Sequence, residues 1–473
     1  MTSLKFGTSG LRGLVTDLLG QPSYAYAKAF LAYVDRAMPQ DAERCVLIGR
    51  DLRSSSPDIA ALCSAAARDA GFRPLDCGAV PTPALAFASF ARQAPAIMVT
   101  GSHIPDDRNG LKFYRPDGEI TKADETGILS AFEALSEAER QPPERSEAAE
   151  TLDVATPFCR RYAEFFGSGA LSGLTVGVYQ HSSVARDMLV AVLQDLGATA
   201  TAYGRAEAFI PVDTEAHRSE DLELLKGWAG EGRCDAFVST DGDADRPLVA
   251  DRDGAVLRGD VIGLMTARHL GLSTIVTPVT SSSAIERSGI ARTVVRTRVG
   301  SPFVIAGMEE AAKAGQGRIA GFEANGGFLL GSDIDRNGGR LTALPTRDSI
   351  LPILSVLAEM AGTGKPLADL VAGLDAGHTA AHRLPEVTAD RSGPFLSRLA
   401  EDAAFRTAFF APVGRPVEVD RIDGVRTVLQ TGAVIHYRAS GNAPELRCYV
   451  EASDPETARS LLEWCLAAAE AAL

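Results

Sequence analysis

The chain has 473 residues, enough for several domains, and its 45% hydrophobic and 23% charged content is that of a soluble globular enzyme. A net charge of −14 argues against nucleic acid or an anionic membrane as partner, and no run of about eighteen apolar residues offers a membrane span. The opening MTSLKFGTSGLRG lacks the apolar core of a secretory signal. Seven scattered cysteines without a C-x-x-C fit reduced thiols in a cytoplasmic protein, not a disulfide frame or a zinc site.

In chain order, Cys45 to Gly49 reads as a buried strand. Ser56-Pro57-Asp58 reads as a helix start, with Ser56 as N-cap and Pro57 at the first helical position; the stripe Ile59, Leu62, Cys63, Ala66, Ala67, Ala70 follows, and Gly71 ends it. Ile97 to Val99 is an apolar run that stops at Thr100-Gly101-Ser102-His103, and Leu111 to Tyr114 reads as a second strand. Glu137 to Glu150 is charged, contains two prolines and reads as a linker. Strand–helix units recur at 174–179 with 184–196 and at 275–279 with 282–288, a pattern that predicts mostly parallel sheets covered on both faces. Gly362 to Pro366 fails as a P-loop and predicts a helix–helix connection, and Pro455 to Leu473 reads as a terminal helix.

Three times an apolar strand runs into a polar loop and out into another strand: AIMVTGSH…LKFY, DAFVSTDGDADRPLVA and GRIAGFEANGGFLLG. Loops beyond the carboxyl ends of strands in open α/β sheets are where sites form, so the three are expected to face one cleft. The first presents Ser102, with His103, Asn109 and Lys112 able to hold an anion or move a proton. It is not G-x-S-x-G, which excludes a hydrolase elbow. The second places Asp241, Asp243 and Asp245 at alternate positions, a hard-cation pattern; an EF-hand fails because Arg246 and Arg252 stand where Gly and Glu are needed. The third offers Glu323 and Asn325, a carboxylate and an amide suited to adjacent sugar hydroxyls. Near the C-terminus, Arg438-Ala439-Ser440-Gly441-Asn442-Ala443-Pro444 combines an Arg fork with Ser and Gly amides suited to a phosphate, and Arg447 lies just beyond.

Thr100 to Lys112 resembles the phosphoserine loop of the α-D-phosphohexomutases, roughly T-(A/G)-S-H-N-P-x-x-x-N-G-x-K, with Ile104 in place of Asn. Phe6 to Gly13, Gly49 to Ser55, the DGDADR loop with Asp251, Gly254, Gly259 and Asp260, Thr297 to Gly300, the Glu323 loop and Arg438 to Pro444 resemble further motifs of that family, in its order. Asn325 replaces a Ser, Gly327 a His and Asn442 a Thr. The resemblance implies a heart-shaped four-domain α/β architecture, three similar mixed α/β domains and a smaller C-terminal α+β domain around a central cleft. Its expected divisions are 1–147 with the phosphoserine loop, 148–252 with the metal loop, 253–368 with the sugar loop and 369–473 with the phosphate loop. It implies reversible phosphoryl transfer between O6 and O1 of a hexose phosphate through phosphorylated Ser102 and a hexose 1,6-bisphosphate, which also serves as activator. Mg²⁺ would be held by Asp241, Asp243, Asp245 and Ser102. Arg12, His103, Lys112 and Arg246 would surround the reacting group, with Lys112 the candidate for proton transfer among neighbouring cations. Glu323 and Asn325 would hold the sugar, Arg298 would line the cleft, and Arg438, Ser440, Gly441, Asn442 and Arg447 would face the non-reacting phosphate. Mannose phosphate is the expected substrate, with glucose and glucosamine phosphates as alternatives, and a sugar-phosphate phosphatase or a non-catalytic binder as readings from other classes. A monomer or homodimer, with no nucleic-acid or membrane partner, is expected.

Overall fold

The computed structural model describes residues 2–7, 10–144, 148–336, 338–440 and 444–473. Three sheets share one plan. In the first, the parallel strands Arg73–Ala79, Cys45–Arg50 and Ala96–Val99 lie side by side, and the chain then returns antiparallel as Arg108–Arg115. In the second, Thr199–Arg205, Thr175–His181 and Ala236–Thr240 are parallel and Pro247–Asp251 returns antiparallel. In the third, Thr293–Thr297, Thr274–Pro278 and Ile319–Phe322 are parallel, and Phe328–Leu330 and Leu344–Asp348 follow antiparallel. The sheets are therefore mixed, where strand–helix alternation predicts mostly parallel ones. The physical reason lies in the three loops: each is too short for a parallel crossover, so the strand leaving it pairs back against the strand that entered. Those hairpin-like returns put Ser102, the Asp triad and Glu323 at equivalent places.

The helix after Cys45–Arg50 runs Ser56–Asp69. Ser56 is its first residue and does not cap it; its hydroxyl donates to Asp51 at 2.5 Å, a tertiary partner stronger than a local amide. Gly71 follows the helix end at φ +80°, as a C-terminal glycine should. The helix Ile350–Thr363 turns directly into Leu367–Ala372, which makes 362–366 a helix–helix connection. The unit beginning at 282 is shorter than expected, with the helix confined to Ala284–Arg287. Of the linker 137–150, residues 145–147 lie outside the described set, and Glu150–Thr151 adds an edge strand to the first sheet.

One buried cluster runs through the first three units, from Cys45 to Leu374. The C-terminal unit has its own core under a wholly antiparallel sheet, ordered His378–Pro385, Glu445–Ala452, Val434–Ala439, Val425–Leu429, Pro416–Asp420. The terminal helix Pro455–Ala472 packs on it, with Asp454 accepting from the Thr457 amide. Contacts between this unit and the third are polar: Glu451 accepts from the Ser283 amide and from Arg287, and Asp423 accepts from the Val299 amide. A polar seam between separately cored units is one along which relative motion is the default. All seven cysteines are free, and among the described residues no helix is long and apolar enough to cross a membrane.

Candidate active site

Ser102 sits where the buried strand Ala96–Val99 ends, in the left-handed region at φ +54°. That conformation is unfavourable for a residue with a Cβ and persists only where the surroundings enforce it. The Thr100 hydroxyl accepts the Ser102 amide at 2.8 Å, and Arg53 Nη2 donates to the Ser102 carbonyl at 2.9 Å. Arg53 is fully buried. It also donates to the carbonyls of Ile104, Pro105 and Arg108 at 2.6, 2.8 and 3.1 Å, and its Nε bonds Asp51 at 3.1 Å. The Phe209 ring covers the guanidinium at 3.9 Å. Asp51 in turn accepts from Thr100 Oγ1 at 2.8 Å. The segment Gly49 to Ser55 is thus the brace of the serine loop.

The Ser102 hydroxyl donates to Asp241 Oδ2 at 2.6 Å. Asp241, Asp243 and Asp245 are all buried, with ligand atoms within 4.8 Å of one another. The loop is tight: Asp241 Oδ1 accepts the amides of Asp245 and Arg246, each at 3.2 Å, and Ala244 turns at φ +58°. Thr82 donates to Asp243 at 2.6 Å, Lys112 to Asp243 and Asp245 at 2.5 and 2.6 Å, and Arg347 to Asp245 at 2.8 Å. Burial, then the charges of Asp243 and Asp245, push the Asp241 carboxyl well above the usual range. Burial also opposes ionisation of the other two, but Lys112 holds Asp243 below its ordinary value, and Arg347, Lys112 and Arg246 hold Asp245 well below. The second oxygens of Asp243 and Asp245 are buried with no hydrogen-bond partner among the described residues. Buried anionic oxygens in that state call for a cation, and an all-oxygen set suits a hard one. These three carboxylates could bind a metal ion.

Arg246 donates to His103 Nδ1 at 2.9 Å, so Nδ1 accepts and Nε2 carries the proton, 3.9 Å from Asp213. Burial, then Arg246, depress the imidazole to about 3, and it is neutral at physiological pH. The Ser102 hydroxyl is 3.2 Å from the same Nδ1, but its proton goes to Asp241 and the ring lone pair is taken. Ser102 and His103 are therefore not a nucleophile–base pair. Arg12 pairs in register with Gly110, one strand from the serine loop; burial, then Arg246, lower its guanidinium to about 10.

Four family models, described as phosphoglucomutase/phosphomannomutase alpha/beta/alpha domains I, II and III and C-terminal domain, match residues 3–139, 159–254, 258–376 and 388–465. A phosphomannomutase of Sinorhizobium fredii (strain NBRC 101917 / NGR234) is 48% identical over 98% of each chain. The chain belongs to the phosphoglucomutase/phosphomannomutase family. A phosphomannomutase of Salmonella muenchen is 40% identical over 98% of this chain and 95% of its own. A crystal structure of a phosphoglucomutase/phosphomannomutase family protein from Burkholderia thailandensis shares the fold, with a TM-score of 0.76 at 21% identity over 98% of this chain and 97% of that one.

In this phosphohexomutase the Glu323 loop meets the Asp241–Asp245 loop through Arg347, which donates to Glu323 at 3.3 Å as well as to Asp245. Asn325 Oδ1 accepts the Gly327 amide at 3.0 Å, and its carbonyl accepts from Thr214 at 2.9 Å. Gly259 explains itself here: a Cβ would lie 2.1 Å from the Gly326 amide nitrogen, so only glycine lets the two loops close. Arg298 donates to the Ile422 carbonyl at 3.3 Å, Arg438 to Asp423 at 2.7 Å and Arg447 to Glu445 at 2.9 Å, so these three engage the C-terminal unit and not the first three loops. Glu215 connects the two sides electrostatically. Although Glu215 is exposed at the cleft, the protein crowded around it pushes its carboxyl up; Asp213 and Glu323 add to this, and Arg246 and Arg447 oppose it. Beside it, a cavity of 310 Å³ opens between the units, lined by Glu215, His217, Arg258, Ala324, Arg426 and His436. Ser440 precedes residues 441–443, so the expected phosphate contacts of Gly441 and Asn442 lie outside the described residues.

Two expectations change. Asn109 does not face an anion: its amide donates to Ser55 and Ser56 at 2.9 and 3.0 Å, tying the strand to the helix start. Lys112 has carboxylates as well as a cation beside it: its ammonium binds Asp243 and Asp245 and shares Asp245 Oδ2 with Arg347. Three contributors were not singled out from sequence. Arg53 lies within a quoted motif but its bonds reach loops 49 to 55 positions away. Arg347 carries no local motif at all, and the segment with Phe209 and Asp213 reads as an ordinary loop.

Proposed function

We propose that this phosphohexomutase interconverts the 6-phosphate and 1-phosphate of a hexose, with mannose as the preferred sugar, and works in the cytoplasm. The observation that carries the reading is Ser102, forced into a left-handed turn with its hydroxyl 2.6 Å from Asp241 of a buried carboxylate triad. Phosphorylated Ser102 gives its phosphoryl group to the free hydroxyl of the hexose phosphate. The P–Oγ bond breaks as the new P–O bond forms, the sugar hydroxyl loses a proton and Ser102 gains one. The hexose 1,6-bisphosphate turns end for end, and the phosphoryl group now near Ser102 returns to it. A trace of bisphosphate is the activator that restores lost phosphoserine.

Mg²⁺ is the cation we assign to this site: Asp241, Asp243, Asp245 and Ser102 would hold it, and when bound it would supply charge compensation for phosphoryl transfer. Arg12 and Arg246 add fixed positive charge, and little covalent work remains for the protein beyond positioning. Arg246, by saturating His103 Nδ1, leaves that ring neutral and orienting, not basic. Lys112 is the group we assign to move the sugar proton: among these cations it is the ammonium, which gives up a proton more readily than a guanidinium, and it bonds Asp243 and Asp245 beside Ser102's partner Asp241. Glu323 and Asn325 would take the ring hydroxyls. Arg438, Ser440, Gly441, Asn442 and Arg447 would take the distal phosphate across the cleft, with Arg298 beside them on that wall. The match to phosphomannomutases at 48% and 40% identity supports mannose.

Ser102→Ala tests the centre: turnover of mannose 1-phosphate should fall at least about 10⁴-fold with loss of the phosphoprotein, and a variant that keeps most of its turnover contradicts the reading. A panel of mannose, glucose and glucosamine 1-phosphates ranked by kcat/KM tests the sugar.

A further inference from the structure

Arg347 enters none of the motifs that mark this site, yet it joins two of its loops. It stands on the strand Leu344–Asp348, 4% exposed. Nη2 donates to Asp245 Oδ2 at 2.8 Å, and Nη1 donates to Glu323 Oε2 at 3.3 Å. Gly327 makes room for it. A Cβ there would fall 2.6 Å from Arg347 Cδ and 2.9 Å from Cγ, while the Gly327 backbone itself needs no positive φ. The glycine is therefore required by the arginine stem, not by a turn. Gly327 and Arg347 form one unit, in which a missing side chain on the sugar loop admits a guanidinium from the next strand.

The shape of that group matters. A guanidinium presents separate N–H bonds at fixed angles in one plane, so it can hold two carboxylates in a set relation. A carboxylate has about four lone-pair positions, so Glu323 keeps acceptor capacity for a ligand while one oxygen is engaged. Without the fork, Asp245 would keep its bond from Lys112, but among the described residues no hydrogen bond would tie the buried Glu323 carboxylate to it.

We propose that Arg347, seated in the space left by Gly327, is a positioning residue for sugar recognition: it orients the Glu323 carboxylate toward the hexose hydroxyls and ties that orientation to the metal loop. The inference rests on the mutase reading above and assigns to it a residue outside the phosphoserine, metal, sugar and phosphate loops.

The test is a double-mutant cycle in steady-state kinetics with mannose 1-phosphate at saturating Mg²⁺. Arg347→Lys keeps the charge but loses the fork, and should raise KM about tenfold or more with kcat within about threefold, the signature of a lost charge-assisted hydrogen bond to a ground-state contact. Glu323→Gln should raise KM similarly. In the double variant the second substitution should add less than about threefold, since both act through one carboxylate. Gly327→Ala, which displaces the arginine stem and keeps every charge, should show the same KM increase, and it decides the matter alone if Arg347→Lys does not fold. Additive KM effects, or a fall in kcat at unchanged KM, would overturn the role assigned to Arg347 and leave the mutase reading intact. A wild-type protein that converts none of the hexose phosphates would overturn both.

Discussion

Arg53→Lys is the substitution that examines most sharply how the serine loop is held. Arg53 makes four hydrogen bonds to carbonyls of residues 102, 104, 105 and 108, plus the bond to Asp51. A lysine at this buried position keeps the charge opposite Asp51 and reaches at most one carbonyl, so about three bonds are lost. At roughly 1 kcal/mol each, the loop loses about 3 kcal/mol of local stability. Amide exchange in residues 100–105 should then quicken by about 10² while the rest of the first unit is unchanged. Activity should fall with it, because Ser102 at φ +54° has no intrinsic reason to stay there. A displacement of about 1 Å at a reacting atom costs about 10² in rate, so kcat should drop about 100-fold with little change in KM. Hydrogen-exchange mass spectrometry and steady-state kinetics on the same preparation measure both quantities. A variant with kcat within threefold of wild type would refute the claim that Arg53 enforces the Ser102 geometry, even if the loop exchanged faster.

Other predictions bear on charge. In chelator, Asp241→Asn should melt within a few degrees of wild type, because it relieves the crowding of three buried carboxyls while its single amide oxygen can serve either Ser102 or the Asp245 and Arg246 amides, not both. On adding millimolar Mg²⁺ the wild type should gain thermal stability and the variant should not, with activity lost in the variant; equal metal stabilisation of both by scanning fluorimetry would contradict the metal assignment. His181 and His436 are buried, and burial lowers each to about 4. Their unfolded value is about 6.5, so between those values the unfolded chain binds more protons: stability is full above about pH 6.5 and is lost as pH falls toward 4. At pH 5.5 each should contribute a loss of about 1.4 kcal/mol. His436→Asn, whose amide can still donate to the Asp423 carbonyl, should shrink the decline in melting temperature of the C-terminal unit between pH 7.5 and 5.5; an unchanged decline would show that His436 does not titrate as described.

The loops that build the site were legible because each carries its chemistry in adjacent residues. Asp241, Asp243 and Asp245 need only a tight turn to converge, and the strand on either side of that turn is apolar enough to read. Ser102 was legible for the same reason. Asn109 was misread because its partners, Ser55 and Ser56, lie 54 and 53 positions away and belong to a helix start that no local pattern links to the loop. The carboxylates that Lys112 binds were not legible, since its register opposite Met98 and its reach to Asp243 are decided by two sheets packing together. Arg347 was invisible: it bonds carboxylates 102 and 24 positions away, and its only sequence trace is a glycine that looks like part of a turn. Strand direction was also hidden, because periodicity marks a strand without saying which neighbour it pairs with.

The most direct test of the account is ³¹P NMR of the protein with Mg²⁺, a trace of hexose 1,6-bisphosphate and mannose 1-phosphate. Mannose 6-phosphate should grow with no inorganic phosphate, and a phosphoserine signal should be present in the wild type and absent in Ser102→Ala. Release of inorganic phosphate at the rate of sugar-phosphate loss, or conversion that persists in Ser102→Ala, would contradict it.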